Sequence, residues 1–313
     1  MRLHSPLGFK SMRLLYTESL KTPASVKDAL SLWEDIFKKN KIPEPSTSIQ
    51  IIMHSVLGAK NLVEVQSLLG KELDLNQRKQ LDGYCLQRLS RMPVQYIIGE
   101  WEFRDLTLGM RSPVFIPRPE TEQLIDIVVP EQGHKSPGNI LEVGCGSGAI
   151  SIALAKAFTQ ANIFAVDASE EACNLTKDNC KRFEFCERVK VVNTKLMENG
   201  SFVNGSLPDR FDILVSNPPY IKTEDMRTLQ PEITFYEDLR ALDGGLDGMQ
   251  VITALLLLAS KTLERGGRLY LEIDPSLIHP IRQWTVDNQQ LGLELSDVHK
   301  DVYKVDRFVS ISK

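Results

Sequence analysis

The chain has 313 residues, of which 42% are hydrophobic and 25% are charged, and it contains 19 glycines and 16 prolines. This composition is typical of a soluble globular protein and excludes a disordered, collagen-like or coiled-coil chain. At roughly 100 to 200 residues per domain, the length predicts about two domains. The longest apolar run, residues 254–259, is far shorter than the ~20 residues that cross a bilayer, so we expect a core helix and no membrane partner.

Charge and reactive side chains exclude further classes of protein. Residues 1–41 carry a net charge of +4, whereas the rest of the chain carries −8. Because nucleic-acid affinity depends on Lys and Arg neutralising phosphates, the acidic body argues against direct nucleic-acid binding. The five cysteines include no Cys-x-x-Cys pair, and no two histidines lie at ligand spacing. The sequence therefore predicts neither disulfides nor a metal site, and it fits a reducing compartment.

The first 22 residues have the composition of a mitochondrial transit peptide. They contain four Lys or Arg, five Ser or Thr and a single acid, Glu18. Transit segments are basic, rich in serine and poor in acids. A frayed basic terminus is the alternative interpretation, whereas the lack of a compact apolar stretch before a small-residue cleavage site argues against secretion. We predict a transit segment at residues 1–24 and a mitochondrial matrix protein.

The chain then changes from helical to β character. Across residues 25–91, apolar residues recur at helical spacing between proline and glycine punctuation, which predicts a domain of four or so helices at residues 25–94. Residues 96–110 are rich in β-forming side chains on both sides of Arg104-Asp105. This pattern predicts a β-hairpin linker, residues 95–111, between the helical domain and the next one.

From Asn139 onward, short β-rich runs alternate with helical stretches. This alternation predicts a parallel, doubly wound sheet, in which ligands bind beyond the carboxyl ends of the strands. The helical stretches include residues 149–158, 170–182 and 249–264. The predicted strands are residues 140–143, 163–166, 189–192, 211–215 and 268–273.

Three alternate glycines follow the first of these strands. They let the backbone turn sharply and lie against a ligand at a helix N-terminus, and their G-x-G-x-G spacing differs from the G-x-G-x-x-G of dinucleotide binders. The next strand ends at Asp167, whose carboxylate can accept both hydroxyls of a ribose; the alternative is that Asp167 caps the following helix. Loop and acid together predict S-adenosylmethionine, a nucleoside cofactor without a pyrophosphate. The loop residues are Gly144, Cys145, Gly146, Ser147 and Gly148.

The strand at residues 211–215 leads into Asn217-Pro218-Pro219-Tyr220. Each proline fixes its own φ and restricts the residue before it, so Asn217 and the Pro218 carbonyl are held rigidly at the strand end. These two oxygens can accept both hydrogens of a planar NH₂ group, and Tyr220 offers a flat face to it. An ordinary Asn-Pro turn is the alternative. The position downstream of the glycine loop favours a catalytic role for Asn217, Pro218, Pro219 and Tyr220.

With these two motifs, the sequence resembles class I methyltransferases that modify planar amino groups. Further segments resemble the HemK/PrmC family, the glutamine methyltransferases of peptide chain release factors, over about residues 26–313. The resemblance implies a class I (Rossmann-like) α/β methyltransferase domain at residues 112–313, with a mainly parallel, doubly wound seven-stranded sheet. It also implies a monomer whose domain at residues 25–94 docks a class I release factor, while residues 217–220 bind the glutamine of its Gly-Gly-Gln loop. The segments are residues 91–99, 113–122, 231–232 and 241–248.

The family pattern assigns further positions and shows two departures. It implies that Phe115 and Pro117 pack beside the cofactor, that Leu196 lies beside the adenine, and that Asn217 contacts the cofactor as well as the substrate. Lys195 stands where the family usually has an acid after the third strand. Lys304 stands where the family's D-x-x-G-x-x-R pattern has a glycine, so we expect a reshaped C-terminal hairpin.

Other side chains near the motifs have an acid/base or nucleophilic interpretation. Glu120 and Glu122 could form a carboxylate pair, but Glu122 begins a helical run, where negative charge is favoured by the helix dipole. The sequence leaves Glu120 in either role. Cys145 would need a nearby base to act as a nucleophile, and it fits a small filler of the glycine loop.

Three alternative functions share parts of this pattern. An adenine-N6 nucleic-acid methyltransferase uses a similar platform, but it must flip a base out of a charged strand and should carry a basic face. A nicotinamide oxidoreductase shares the sheet but requires a different glycine spacing. A catalytically silent assembly protein could keep the cofactor pocket, and a methyl-transfer assay distinguishes it from an enzyme.

Overall fold

The computed structural model describes residues 25–132, 137–204 and 207–313, and the predicted transit segment lies outside the described residues. The chain divides into two compact units. The first contains residues up to Gly99 together with Gln230–Tyr236, and the second contains Glu100–Leu229 and Glu237–Lys313. A short piece of the C-terminal half of the chain therefore folds with the N-terminal unit.

The first unit is helical, as the spacing of its apolar residues predicts. The side chain of Ser25 caps the first helix, and Asp74 and Gln77 form a reciprocal capping box at the fourth. Its core includes the packed rings of Trp33 and Phe37. The helices are α1 (Val26–Lys39), α2 (Pro45–Leu57), α3 (Leu62–Ser67), α4 (Leu75–Leu89) and α5 (Val94–Ile98), joined by the helix Pro231–Tyr236.

The second unit begins with an antiparallel hairpin, β1 (Glu100–Phe103) and β2 (Leu106–Gly109), which pair around Arg104-Asp105 as predicted. The hairpin is shorter than the sequence indicated, because residues 96–98 belong to α5. Pro93 stands at the N-cap of that helix, and Gly99, with φ of 77°, ends it in the left-handed conformation. The five residues of α5 therefore form a helical turn where the sequence predicted the start of a strand.

A seven-stranded sheet forms the centre of the second unit, with the strand order β5-β4-β3-β6-β7-β9-β8. The first five strands in this order are parallel, and β9 alone runs against them, pairing antiparallel with both β7 and β8, so the predicted mainly parallel fold is confirmed. The strands are β3 (Asn139–Val143), β4 (Asn162–Asp167), β5 (Val189–Asn193), β6 (Phe211–Ser216), β7 (Leu263–Glu272), β8 (Glu294–Lys300) and β9 (Asp306–Ser312). The other helices of this unit are α6 (Glu122–Gln132), α7 (Ala149–Ala157), α8 (Glu170–Arg182), α10 (Gln250–Thr262) and α11 (Ile278–Asp287), and the helix Pro231–Tyr236 of the first unit is α9.

The order of the strands places the site. The chain runs outward from β3 through β4 to β5 and then returns to β6 on the other side of β3. Ligands of open α/β sheets bind at such a switch point, beyond the carboxyl ends of the strands. The two sequence motifs follow β3 and β6, so both lie at this edge.

The C-terminal hairpin keeps its turn despite the departure at Lys304. This residue adopts φ of 64°, the left-handed conformation that a glycine reaches without strain. The carboxylate of Asp301 accepts from the backbone N–H groups of Tyr303 and Val305 at 2.9 and 3.0 Å, which stabilises the turn. Strands β8 and β9 pair across this turn.

None of the helices within the described ranges is both long and apolar enough to cross a membrane. In the same part of the chain, no group of three or more His, Cys, Asp or Glu side chains could hold a metal ion.

Candidate active site

The glycine loop between β3 and α7 is held by the neighbouring strand. The backbone N–H groups of Gly144 and Cys145 donate to the carbonyl oxygen of Val166 at 2.8 and 3.1 Å. Gly144, Gly146 and Gly148 all have positive φ, between 54° and 82°. At Gly148 a Cβ would lie 2.9 Å from the Thr176 side chain, so only glycine fits there. At Gly146 a Cβ would meet nothing within 4 Å, and this face of the loop is open.

Asp167 ends β4 directly beside this loop. One carboxylate oxygen accepts from the N–H of Gly146 at 3.0 Å, and the other accepts from the N–H of Ser169 at 2.8 Å. Helix α8 is capped by Ser169, whose hydroxyl oxygen accepts from Ala172 N at 3.3 Å, so Asp167 is not its cap. Burial raises the pKa of Asp167, while the backbone N–H groups oppose that shift. Each oxygen keeps a further lone pair, because a carboxylate offers about four acceptor positions.

The underside of the loop is filled by buried polar groups. Burial raises the pKa of Glu142 to about 8, although a hydrogen bond from Ser151 favours its charged form. Ser147 is buried, and its carbonyl accepts from Asn179 Nδ2 at 2.9 Å. A hydrogen bond with Cys173, together with burial, raises the pKa of the Cys145 thiol. A protonated, buried thiol is a poor nucleophile, which supports the interpretation of Cys145 as a filler.

The segment containing Phe115 and Pro117 is fixed by one carboxylate. Glu237 accepts from the N–H of Ile116 at 3.3 Å and from Arg118 Nη2 at 2.7 Å. The Arg118 guanidinium lies over the Phe115 ring, 4.7 Å from its centroid, and Pro117 is buried. The backbone of Asp238 also donates to the carbonyl of Pro113 at 2.7 Å. The segment is therefore rigid before any ligand binds.

Leu196 lies in the chain segment that follows β5. Thr194 donates its backbone N–H to the Asp167 carbonyl at 2.9 Å, which places this segment beside the end of β4. Leu196 forms an isolated bridge with Phe202 and lines a cavity of about 420 Å³ with Gln250 and Ala254. The neighbouring Lys195 is exposed.

Asn217 immediately follows β6 and faces the glycine loop. A Cβ at Gly144 would lie 4.0 Å from the Asn217 carbonyl oxygen, so the two motifs meet at this edge. Asn217 Nδ2 donates to Thr121 Oγ1 at 3.1 Å, and the Tyr220 hydroxyl donates to Glu272 Oε1 at 3.4 Å. Within the described ranges, no residue donates a hydrogen bond to Asn217 Oδ1 or to the Pro218 carbonyl. These two oxygens can therefore accept from a ligand.

Two glycines pack closely against the backbone that follows Asn217. Gly244 N–H donates to the Ile221 carbonyl at 2.7 Å, and a Cβ on Gly244 would lie 2.8 Å from Tyr220 Cα. Gly248, with φ of 82°, would bring a Cβ to 2.7 Å from the Tyr220 carbonyl. This close approach explains the glycines of residues 241–248 and fixes the position of Tyr220.

The sequence analysis missed two residues that contact this site, Thr121 and Glu272. Both are buried, and Thr121 Oγ1 donates to Glu272 Oε2 at 2.7 Å. Glu272 could have been predicted as a site residue, because it is an acid at the carboxyl end of β7, the strand next to β6. No sequence signal marked Thr121, which stands between the two charged residues Glu120 and Glu122. Glu122 is the first residue of α6, as its helix-dipole interpretation requires, and Glu120 precedes it in a 3₁₀ turn.

The fold and the two motifs at its switch point define a class I methyltransferase, an enzyme class whose methyl donor is S-adenosylmethionine. Family models agree: residues 121–235 match the methyltransferase small domain, and residues 28–99 match the PrmC N-terminal domain. The chain is 40% identical to the human "MTRF1L release factor glutamine methyltransferase", over 93% of this chain and 88% of the relative.

Bacterial relatives extend the match. The chain is 34% identical to the release factor glutamine methyltransferase of Synechocystis, over 70% of this chain and 73% of that one. It is 32% identical to the enzyme of the same name from Fusobacterium nucleatum, over 89% and 76%. The chain belongs to the release factor glutamine methyltransferase family.

Proposed function

We propose that the enzyme transfers a methyl group from S-adenosylmethionine to the side-chain amide nitrogen of the glutamine in the Gly-Gly-Gln loop of class I peptide chain release factors, and so supports translation termination. The observation that carries this is the pair of acceptors at the end of β6. Asn217 Oδ1 and the Pro218 carbonyl accept from no described residue, and the Asn217 backbone lies beside the glycine loop. Two such oxygens can accept from the two hydrogens of a primary amide.

The residues around the glycine loop fit the cofactor. Gly144 and Gly146 leave an open backbone surface, and the Asp167 carboxylate has lone pairs for ribose hydroxyls. We assign Phe115 and Pro117 to one wall of this pocket and Leu196 to the adenine end. Cys145, Ser147 and Gly148 shape the loop from within.

The cofactor supplies an activated sulfonium methyl group when bound. The substrate amide nitrogen is a poor nucleophile because its lone pair is delocalised, so the protein acts mainly by positioning and electrostatic support. Asn217 Oδ1 and the Pro218 carbonyl accept from the two N–H bonds and stabilise the positive charge that develops on nitrogen. The face of Tyr220 holds the amide plane. No general base is needed, since the N-protonated amide is acidic enough to lose its proton to water.

Selectivity for release factors needs more than this pocket, because any exposed glutamine offers a primary amide. Two glycines before the target let the substrate backbone enter a narrow cleft. We propose that the helical unit, residues 25–94 in particular, adds the docking area that a tripeptide lacks. The enzyme works as a monomer in this scheme.

Mass spectrometry after incubation with isotope-labelled S-adenosylmethionine tests the function directly. We expect one labelled methyl group on the Gly-Gly-Gln glutamine of a class I release factor, and a higher kcat/KM for the intact factor than for a Gly-Gly-Gln peptide. Label on adenine in an oligonucleotide, with none on either protein substrate, would support the nucleic-acid rival. Cofactor binding without transfer to any of them would indicate the silent assembly protein.

Replacing Asp167 by Ala should weaken S-adenosylmethionine binding by about tenfold or more, because a charge-assisted hydrogen bond to a ribose hydroxyl is lost. Isothermal titration measures this effect. Asp212→Ala is a matched control: its carboxylate also accepts from two backbone N–H groups, those of Gly138 and Asn139, but at the amino end of β3. Equal dissociation constants for the Asp167 variant and the unchanged protein would reject the ribose assignment.

We propose that residues 1–24 direct the enzyme to the mitochondrial matrix, on the basis of their basic, Ser-rich composition. A fluorescent protein fused to this segment should accumulate in mitochondria. The same fusion with Arg2, Lys10, Arg13 and Lys21 changed to Gln should stay in the cytosol, since import segments depend on positive charge. Cytosolic fluorescence from the unaltered fusion contradicts the proposal.

A further inference from the structure

A chain of hydrogen bonds runs from the end of β7 to Asn217. Glu272 is 2% exposed, and its Oε2 accepts from Thr121 Oγ1 at 2.7 Å. Thr121 Oγ1 in turn lies 3.1 Å from Asn217 Nδ2. The other oxygen of Glu272 accepts from the Tyr220 hydroxyl at 3.4 Å. One buried carboxylate thus contacts, directly or through Thr121, both ends of the segment 217–220.

The chemistry of these groups fixes the direction of the chain. An ionised carboxylate only accepts hydrogen bonds, so the single hydroxyl hydrogen of Thr121 is committed to Glu272. Toward Asn217, Thr121 then offers only a lone pair. The Asn217 atom that faces it must be the donor Nδ2, and Oδ1 must point the other way. The Asn217 amide therefore has one permitted orientation out of two.

We propose that Thr121 and Glu272 are positioning residues that set the orientation of the Asn217 amide and thereby make the site select a primary amide over a carboxylate. This proposal rests on the proposed function. With Oδ1 outward, Asn217 accepts from the substrate NH₂ and repels a carboxylate. With the amide reversed, Nδ2 and the NH₂ group of glutamine are both hydrogen-bond donors and cannot pair. Nδ2 can, however, donate to the carboxylate of glutamate.

Glu272 is not a general base in this arrangement. The side chain is buried, and the groups that donate to its two oxygens are the hydroxyls of Thr121 and Tyr220. A carboxylate so enclosed acts through the residues it holds. Its effect on the reaction should therefore appear in rate and selectivity and not in cofactor affinity.

Replacing Thr121 by Val keeps the shape of the side chain and removes the hydroxyl. At saturating cofactor, kcat on a Gly-Gly-Gln peptide should fall about tenfold, the effect of losing a hydrogen bond that orients a reacting group. A Gly-Gly-Glu peptide serves as a competitive inhibitor. The ratio of its inhibition constant to the KM of the Gly-Gly-Gln peptide should also fall about tenfold, because the freed Asn217 can turn Nδ2 outward.

Two companion variants separate positioning from general damage. Thr121→Ser restores the hydroxyl and should recover most of the rate and discrimination lost in Thr121→Val. Thr285→Val removes another buried hydroxyl of the same unit, one that donates to the Arg282 carbonyl in α11 at 2.8 Å. It should leave the rate and the discrimination ratio as they are.

Glu272→Leu provides the second route if Thr121→Val does not fold. A leucine there accepts no hydrogen bond, which frees the Thr121 hydroxyl hydrogen for Asn217 Oδ1 and lets the amide reverse. We expect the same loss of discrimination. If whichever variant folds discriminates like the unchanged enzyme, the proposal is overturned. If the unchanged enzyme methylates neither the peptide nor the intact factor, the proposed function fails instead.

The pH profile gives an independent readout. Burial raises the pKa of Glu272, while Arg307 of β9 lowers it, Glu120 raises it, and Thr121 and Tyr220 donate to it. Protonated Glu272 can donate to Thr121, so kcat at saturating cofactor should fall as pH decreases through a pKa above the ordinary glutamate value of 4.5. The Thr121→Val variant should lack this fall in kcat at low pH, because its hydrogen-bond chain to Asn217 is already broken. The same fall in kcat in the variant contradicts the proposal.

Discussion

Changing Asn217 to Ala should lower the rate of methyl transfer by about 100-fold or more, comparable to the removal of one oxyanion-hole donor from a protease. The acceptor oxygen that stabilises positive charge on the substrate nitrogen is lost, and it acts mainly in the transition state. The backbone of residue 217 remains beside Gly144, so the glycine loop keeps its packing. Single-turnover measurements with a Gly-Gly-Gln peptide give the rate.

Cofactor affinity in the same variant is the control. Isothermal titration should give nearly the same S-adenosylmethionine dissociation constant, because the Asn217 side chain bonds Thr121 and not the loop. A rate that is unchanged in Asn217→Ala would remove this residue from the proposed site. A large loss of cofactor affinity would assign it to the cofactor pocket.

The sheet was predictable because its strands are buried on both faces. Residues such as Leu141 in β3 and Leu214 in β6 are fully buried, and such strands appear in sequence as short apolar runs between glycine turns. Once the strands were parallel, their carboxyl ends had to share one edge. The proximity of Asn217 to Gly144 follows from that geometry and from no local feature of either motif.

Contacts that depend on tertiary packing were not predictable. Thr121 and Glu272 are 151 positions apart in the chain, and their hydrogen bond requires a particular placement of β7 against the turn before α6. The helix Pro231–Tyr236 has only six residues, too few to show a periodic apolar face, so nothing indicated that it folds with the first unit. Both cases involve polar side chains whose partners lie far away in the sequence.

Within the first unit, Glu232 is joined to the helical bundle by buried charge. Arg88 Nη1 donates to Glu232 Oε1 at 3.0 Å, and Arg91 Nη1 lies 3.3 Å from the same oxygen. The Arg88 side chain is only 6% exposed and also donates to the carbonyl of Pro43 and the hydroxyl of Ser48. Glu232 therefore ties the helix Pro231–Tyr236 to α4 within the first unit.

Replacing Arg88 by Met should destabilise the first unit by about 3 kcal/mol, because a buried carboxylate loses a partner and several acceptors lose their donor. Amide hydrogen exchange in α4 should accelerate by roughly 100-fold or more, since each 1.4 kcal/mol corresponds to a factor of ten. Exchange is followed by mass spectrometry, which reports on the unit by itself, where a single unfolding curve would mix the two units.

Lys38→Met is the matched control for that experiment. Lys38 pairs with Glu34 at 2.7 Å on α1, but its side chain is 56% exposed. An exposed i,i+4 pair contributes little to stability, because water screens the charges. Its loss should therefore change exchange in α4 by less than about threefold. If the two variants exchange alike, Arg88 does not stabilise the unit through Glu232.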